Sequence, residues 1–343
     1  MTAESPVESP LPSVAKIALF TVRSFAIEHA IPVIQAHPNA ELVCVLTTPG
    51  PKNRRSRAYC EVVDALERCG HANVDLIVSN KKSKWGDLIA CYGANLILCS
   101  GFPWIIPESL INDPRLPLGV INFHNSLLPK YMGPNAFGWG IVNNDGEVGY
   151  TAHRMSPEID TGPILIAERV PLEVNEDYQD LKKKVPPVFT GMVQRVIGMA
   201  LAGDPGTPQA GTPSQAPKFD PAFRWIDFND TALQNHNKVR AFYGERDHPK
   251  GALAKIDGTT LCFTKTRLHP VKLIDLPELV GEHKEQLPEE LTSLTSALST
   301  SSGLSSSVET DSLPGAVLTP QGESFFIQCG DTSLEVLEWN VVE

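Results

Sequence analysis

From residue 15 to residue 130, short apolar runs alternate with amphipathic stretches. This alternation restricts the possible folds more than any other feature of the chain. Residues 15–21 (AKIALFT), 41–47 (ELVCVLT), 75–78, 94–100 (ANLILCS) and 119–123 (GVINF) read as strands. Between them, residues 24–35, 56–69 and 84–92 carry apolar side chains at helical spacing, and 106–111 reads as a short helix after Pro107. Strands that are apolar along most of their length are buried on both faces. The pattern therefore predicts an α/β fold, an open, mainly parallel sheet flanked by helices. Further strands are expected at 149–155 and 162–170, and a long helix at 178–201. Pro186-Pro187 inside that helix predicts a break or kink, because proline cannot donate to the backbone ladder.

The pattern changes after residues 203–219, which are rich in Gly and Pro and read as a linker. A helix at 229–242 and β-like runs at 252–256, 260–266, 316–318, 325–329 and 334–339 predict a small β-rich, barrel-like domain over residues 220–343. The Ser/Thr-rich run 292–312 reads as a disordered insertion within it, and residues 1–14 as a disordered tail. That leaves residues 15–202 as the expected catalytic domain, and 343 residues suit two domains of ordinary size.

Composition excludes several classes. No apolar run approaches about 18 residues, so no transmembrane helix or membrane partner is expected. The tail has no basic residue and no apolar core, so a cytoplasmic location is expected. None of the seven cysteines forms a C-x-x-C pair, and they read as free thiols. The net charge is −11, and residues 205–343 hold 11 basic against 19 acidic side chains. Such a balance argues against a broad nucleic-acid surface there. Lys52-Asn53-Arg54-Arg55-Ser56-Arg57 is the one run suited to gripping phosphate, and it reads as a solvated loop. The first strand-to-helix turn lacks G-x-G-x-x-G, and neither a P-loop nor a G-x-S-x-G elbow occurs. His29, His37 and His71 lack metal-ligand spacing.

Chemistry concentrates in residues 121–165. In INFHNSLLPKYMGPN, Asn122 and His124 lie two apart on a strand, so their side chains share a face. The carboxyl end of a strand in an open parallel sheet is where ligands bind. An imidazole can move protons near neutral pH, and an amide can donate to a developing oxyanion. In SPEIDTGPIL, Asp160 precedes Gly162-Pro163 and reads either as a turn-maker or as a partner that orients His124. Spacing alone does not bring Asp160 to His124. His153, in TAHRM, reads either as part of a site that uses water as the acceptor or as strand packing, with packing preferred.

Together, INFHNSLLPKY and HRMSPEIDTGPIL resemble the signature of the folate-dependent formyltransferases, N-x-H-x-S-L-L-P followed about 36 residues after the histidine by D-x-G. That family includes methionyl-tRNA formyltransferases, glycinamide ribonucleotide transformylases, sugar-amine N-formyltransferases and formyltetrahydrofolate hydrolases. SGFPWIIP at 100–107 resembles its folate-pocket loop, and FRWIDFND with FFIQCGDTSLEVLEW resembles its C-terminal domain. The resemblance implies a Rossmann-like formyltransferase domain and 10-formyltetrahydrofolate as co-substrate, without a metal. It implies Asn122, His124 and Asp160 as catalytic residues. In that picture Phe102, Trp104, Ile105, Ser156 and Ile159 meet the folate, and Ser126 and Asn135 meet the acceptor. An unprotonated amine attacks the formyl carbon, Asn122 and His124 stabilise the oxygen, and Asp160 holds His124 and helps to move the amine proton. Met132 stands where many members carry an arginine at the mouth of the site. The expected acceptor is a small-molecule amine, such as an amino sugar or specialised metabolite. The alternatives are methionyl-tRNA, water in a formyltetrahydrofolate hydrolase, and a non-catalytic tRNA-binding role. The oligomeric state stays open.

Overall fold

The structure is a computed structural model that describes residues 10–49, 58–242, 250–256, 258–268, 315, 317–321, 324–331 and 333–342. The first nine residues of the expected tail, the basic run 52–57 and the run 292–312 lie outside the described residues. The chain divides into two units. One comprises Met1–Ala136, Val148–Val170 and Lys184–Ala216, and the other Phe137–Glu147, Pro171–Lys183 and Pro217–Glu343.

The first unit is organised by a seven-stranded sheet. Its strands are β1 (Ala15–Phe20), β2 (Ala40–Thr47), β3 (Leu76–Val78), β4 (Leu96–Ser100), β5 (Gly119–His124), β6 (Glu147–Arg154) and β7 (Ile164–Pro171). Their spatial order is β3-β2-β1-β4-β5-β6-β7. The first five run parallel, and β6 turns antiparallel to β5. Helices α1 (Ser24–Ala36), α2 (Ala58–Arg68), α3 (Trp85–Ala90) and α4 (Glu108–Ile111) supply the crossovers, and most of α6 (Tyr178–Leu201) belongs to the same unit, whereas α5 (Ala136–Val142) falls almost wholly in the second. Phe20, Trp85, Ile97, Cys99 and Leu110 belong to one buried cluster, with the Phe20 and Trp85 rings edge to face at 6.0 Å. Phe189 of α6 packs on Phe123 of β5 at 5.0 Å and on Tyr150 of β6 at 5.8 Å. Burying a ring of this size contributes about 2–3 kcal/mol, so α6 clamps the β5–β6 strand pair that carries the site.

Two local outcomes differ from the sequence pattern. Helix α6 runs through Pro186 and Pro187 as one element instead of breaking there. Its stripe of Leu181, Val185, Phe189, Met192, Val193, Val196 and Ile197 is buried, and that packing outweighs the two missing donors. Helix α5 was not legible, because AFGWGIV has two glycines in seven residues and no 3.6-residue apolar period.

The second unit contains α7 (Ala232–Ala241), β8 (Ala252–Ile256), β9 (Thr259–Arg267), β10 (Val317–Gln321), β11 (Ser324–Gln328) and β12 (Ser333–Val341). The five strands form an antiparallel sheet ordered β10-β11-β12-β9-β8, the curled half-barrel counterpart of the expected barrel-like domain. Val239, Phe263, Ile327, Leu334 and Val336 share its core. A reciprocal capping box of Thr231 and Gln234 starts α7. No helix among the described residues is long and apolar enough to cross a membrane. The seven cysteines are free thiols, and Cys44, Cys99, Cys262 and Cys329 are buried.

Candidate active site

Strand alternation puts Asn122 and His124 on one face of β5, at its carboxyl end. The antiparallel register sets His153 of β6 directly across from Asn122, and the Asn122 Nδ2 lies 3.1 Å from the His153 Nε2. The His153 Nδ1 lies 3.0 Å from the Arg154 carbonyl, which can only accept. The Nδ1 can donate there, and the Nε2 lies between the Asn122 amide and the Asp160 carboxylate.

His124 is fixed by the same logic. Its Nε2 is 2.8 Å from the Tyr131 carbonyl and must donate to it. The Nδ1 is left as the lone-pair nitrogen, and it faces the Asp160 Oδ2 at 3.5 Å. Burial pushes the His124 pKa down, against opposing pulls from Asp160 and the Tyr131 carbonyl. Burial alone would raise the Asp160 pKa. His153, His124 and the Gly133 amide outweigh it and hold the carboxyl below the usual range. The His124 Nδ1 and the Asp160 Oδ2 thus face each other, with burial disfavouring the charged imidazolium and Asp160 favouring it. The other carboxylate oxygen, Oδ1, lies 3.7 Å from the His153 Nε2.

The loops that assemble these groups are strained at chosen points. Tyr131 and Asp160 are non-glycine residues with φ of 61° and 56°. Each such position costs about 1–3 kcal/mol and persists only where its surroundings hold it. Asp160 is held by the Gly133 amide, which donates to its Oδ2 at 2.9 Å, and by Gln209, whose Nε2 donates to the Asp160 carbonyl at 2.7 Å. Gly162 is required by a close approach, because a Cβ there would lie 1.8 Å from the Arg154 carbonyl oxygen. The glycine of the D-x-G pair is therefore a steric requirement.

The structure brings Asn122, His124 and Asp160 together with His153, for which the sequence left a site role open but favoured packing. It also adds the Tyr131 carbonyl, the Gly133 amide and Gln209. Their contributions come largely through backbone groups, which leave no residue-type signal. The residues expected at the folate occupy two loops. Phe102 packs on Phe20 and Trp85 at 5.3 Å each. Trp104 donates its indole N–H to the Thr48 hydroxyl at 3.1 Å, so its ring is the part left for contact. Ile105 and Ile159 are 57% and 55% exposed. The Ser156 hydroxyl is engaged with Thr161 and the Glu158 carbonyl within its own loop. Of the two residues expected at the acceptor, Ser126 is buried and donates to the Lys130 carbonyl at 2.6 Å. The Asn135 Nδ2 is buried without a hydrogen-bond partner, a donor still to be used. Met132 is buried beside Gln215.

Comparison with known proteins gives a consistent frame. Residues 15–196 match a family model described as formyl transferase, and residues 218–341 match the formyl transferase C-terminal domain. A methionyl-tRNA formyltransferase of Coprothermobacter proteolyticus is 30% identical over 66% of this chain and 73% of its own. Among solved structures, an N-formyltransferase from Helicobacter canadensis, in complex with folinic acid and dTDP-3-aminofucose, shares the fold. It has a TM-score of 0.59 at 16% identity, over 94% of this chain and 99% of that one. HypX from Aquifex aeolicus, in complex with tetrahydrofolic acid, gives a TM-score of 0.55 at 16% identity over 96% of this chain. This chain spans 44% of that larger protein.

Proposed function

The chain belongs to the formyl transferase family, and from that premise we propose that it transfers a formyl group from 10-formyltetrahydrofolate to the primary amine of a small molecule. The observation that carries the reading is the buried His124 Nδ1 facing the Asp160 Oδ2 at 3.5 Å. The folate donor supplies an activated formyl carbon. An amine that attacks such a carbon must shed a proton, and the His124 Nδ1, backed by the Asp160 Oδ2, is the buried acceptor for it. With its Nε2–H committed to Tyr131, the ring enters the reaction as a proton acceptor, and Asp160 stabilises the imidazolium that results. The Asn122 amide is then the neutral donor for the oxygen that gains charge. The exposed apolar side chains of Ile105 and Ile159 and the ring of Trp104 suit a planar donor. Its polar edge would be read by backbone groups of the same loops.

A small acceptor is favoured by the acidic balance of residues 205–343 and by the buried, uncharged Met132. Asn135, with an unused amide donor, is the candidate for contacting it. A second reading, with methionyl-tRNA as acceptor, draws on the 30% identity to a methionyl-tRNA formyltransferase. One experiment separates these readings. The protein is incubated with 10-formyltetrahydrofolate, a panel of amino sugars and other small amines, and methionyl-tRNA, and formylated products are identified by mass. A formylated small amine supports the proposal, and formylated methionyl-tRNA alone moves the acceptor to the second reading. Formate released without any amine indicates hydrolysis, and unchanged 10-formyltetrahydrofolate in every arm sinks formyl chemistry altogether.

A further inference from the structure

The Gly/Pro-rich segment that follows α6 makes bonds that formyl transfer has not yet used. The Gln209 Nε2 donates to both the Asp160 carbonyl at 2.7 Å and the Gly162 carbonyl at 2.9 Å. These two carbonyls flank the left-handed turn that aims the carboxylate at His124. Two residues earlier, Thr207 and Ile164 exchange a reciprocal pair of backbone bonds at 2.8 Å each. Farther along, Ser214 turns to the other loop. Its hydroxyl accepts from the Tyr131 amide at 2.9 Å, and its carbonyl accepts from the Met132 amide at 2.8 Å. Ala216 then donates to the Met132 carbonyl at 2.7 Å and accepts from the Asn135 amide at 3.1 Å. One short stretch is thereby tied to the loop that carries Asp160 and to the loop that supplies the Tyr131 carbonyl and the Gly133 amide.

We propose that residues 207–216 form a positioning strap for the reacting groups, with Gln209 the positioning residue that fixes Asp160 against His124. The proposal rests on the formyl-transfer reading of the same site. The physical requirement is for an N–H donor at position 209. Two carbonyl oxygens converge on one amide nitrogen, and a group without those hydrogens meets both lone pairs. Gln209→Glu keeps the shape and removes the donors. The loop then rotates away, the Asp160 carboxylate leaves the Gly133 amide, and the proton acceptor pair opens. Asp160 acts through His124 on the proton of the amine, so the loss falls mainly on turnover, with a smaller rise in KM because Ile159 of the same loop is expected at the folate.

The test compares wild type with Gln209→Glu and with Gln209→Asn, which keeps the amide and shortens its reach. Expected are a fall in kcat of about 10- to 100-fold with KM for 10-formyltetrahydrofolate within about threefold, the size associated with a misplacement near 1 Å. In perdeuterated protein, the Gly133 amide resonance should shift and exchange with solvent at least about tenfold faster, as expected when a buried hydrogen bond is lost. Melting temperatures identify any variant that fails to fold, and the Asn variant decides the matter if the Glu variant does. A kcat within twofold of wild type, a loss confined to KM, or an unchanged Gly133 amide in a folded variant would overturn the proposal. If wild type transfers no formyl group, the functional reading fails on its own, and the Gly133 amide still decides whether Gln209 holds Asp160.

Discussion

Arg240 in α7 and His124 at the end of β5 are both buried polar groups, and they differ in how many of their valences the protein fills. The Arg240 guanidinium donates to the carbonyls of Ile141, Glu173 and Glu176 and to the side-chain oxygens of Asn144 and Asn237. Burial lowers its pKa to about 10, which still leaves it charged at neutral pH. On the same helix His236 donates its Nε2–H to the Val174 carbonyl at 2.7 Å and accepts from the Thr266 hydroxyl at 2.8 Å. Lys238 donates to the Trp225 carbonyl at 2.8 Å. Asn235 Oδ1 is the one buried side-chain atom of α7 without a partner among the described residues. His124 has one nitrogen at the Tyr131 carbonyl and the other facing a carboxylate across 3.5 Å, beyond hydrogen-bond distance. A buried network that is nearly complete fixes a fold, whereas one left open at a single nitrogen can take up a proton there.

That contrast can be broken in four ways, taken from the largest expected effect down. His124→Ala removes the proton acceptor and should lower kcat about 1,000-fold, equivalent to about 4 kcal/mol, with the melting temperature little changed. Steady-state kinetics that return near-normal turnover would end the catalytic assignment. Arg240→Met empties the completed network and leaves several carbonyls without donors. Denaturant unfolding should record a loss of about 3 kcal/mol, with kcat per folded molecule unchanged. A variant as stable as wild type would mean that the network contributes little to the fold. Asn122→Ala should lower kcat about 100-fold through loss of the oxyanion donor, and an effect seen only in KM would reassign it to binding.

The smallest effect concerns pH. Burial lowers the His236 pKa to about 4, below its ordinary value of 6.5. Above pH 6.5 neither folded nor unfolded His236 holds the extra proton, so stability is unaffected. As pH falls below 6.5, the unfolded chain takes up a proton that the folded protein refuses, and stability declines until about pH 4. Between pH 6.5 and pH 5 the loss from this residue is about 2 kcal/mol. His236→Gln should flatten that part of the stability profile relative to wild type, and an identical slope would show that His236 is not its source.

The sequence made the outline of both regions legible to different depths. The alternation of apolar strands with helices gave the parallel sheet, and the two-residue period of β5 put Asn122 beside His124. Each of the five β-like runs after residue 250 became a strand. The arrival of Asp160 was not available from spacing, because it depends on the register of β5 with β6 and on a left-handed turn. His153 was left between a site role and packing for the same reason, since its cross-strand partner is fixed only once β5 and β6 pair. Tyr131, Gly133 and the strap act mostly through amides and carbonyls that every residue possesses. Pro186 and Pro187 do not end α6, because its buried stripe outweighs what two prolines take from the ladder.

The close approach at Gly162 has a consequence for how variation in this chain should be judged. That residue touches no reacting atom, and a survey of side chains facing the site would pass over it. Yet the smallest possible change there, the addition of one methyl group, would collide with the Arg154 carbonyl oxygen and push the loop off its seat. Asp160 would move with it, away from both imidazoles. Inherited or engineered changes at position 162 should therefore be classed with losses of the carboxylate itself, although nothing acidic or basic has been altered.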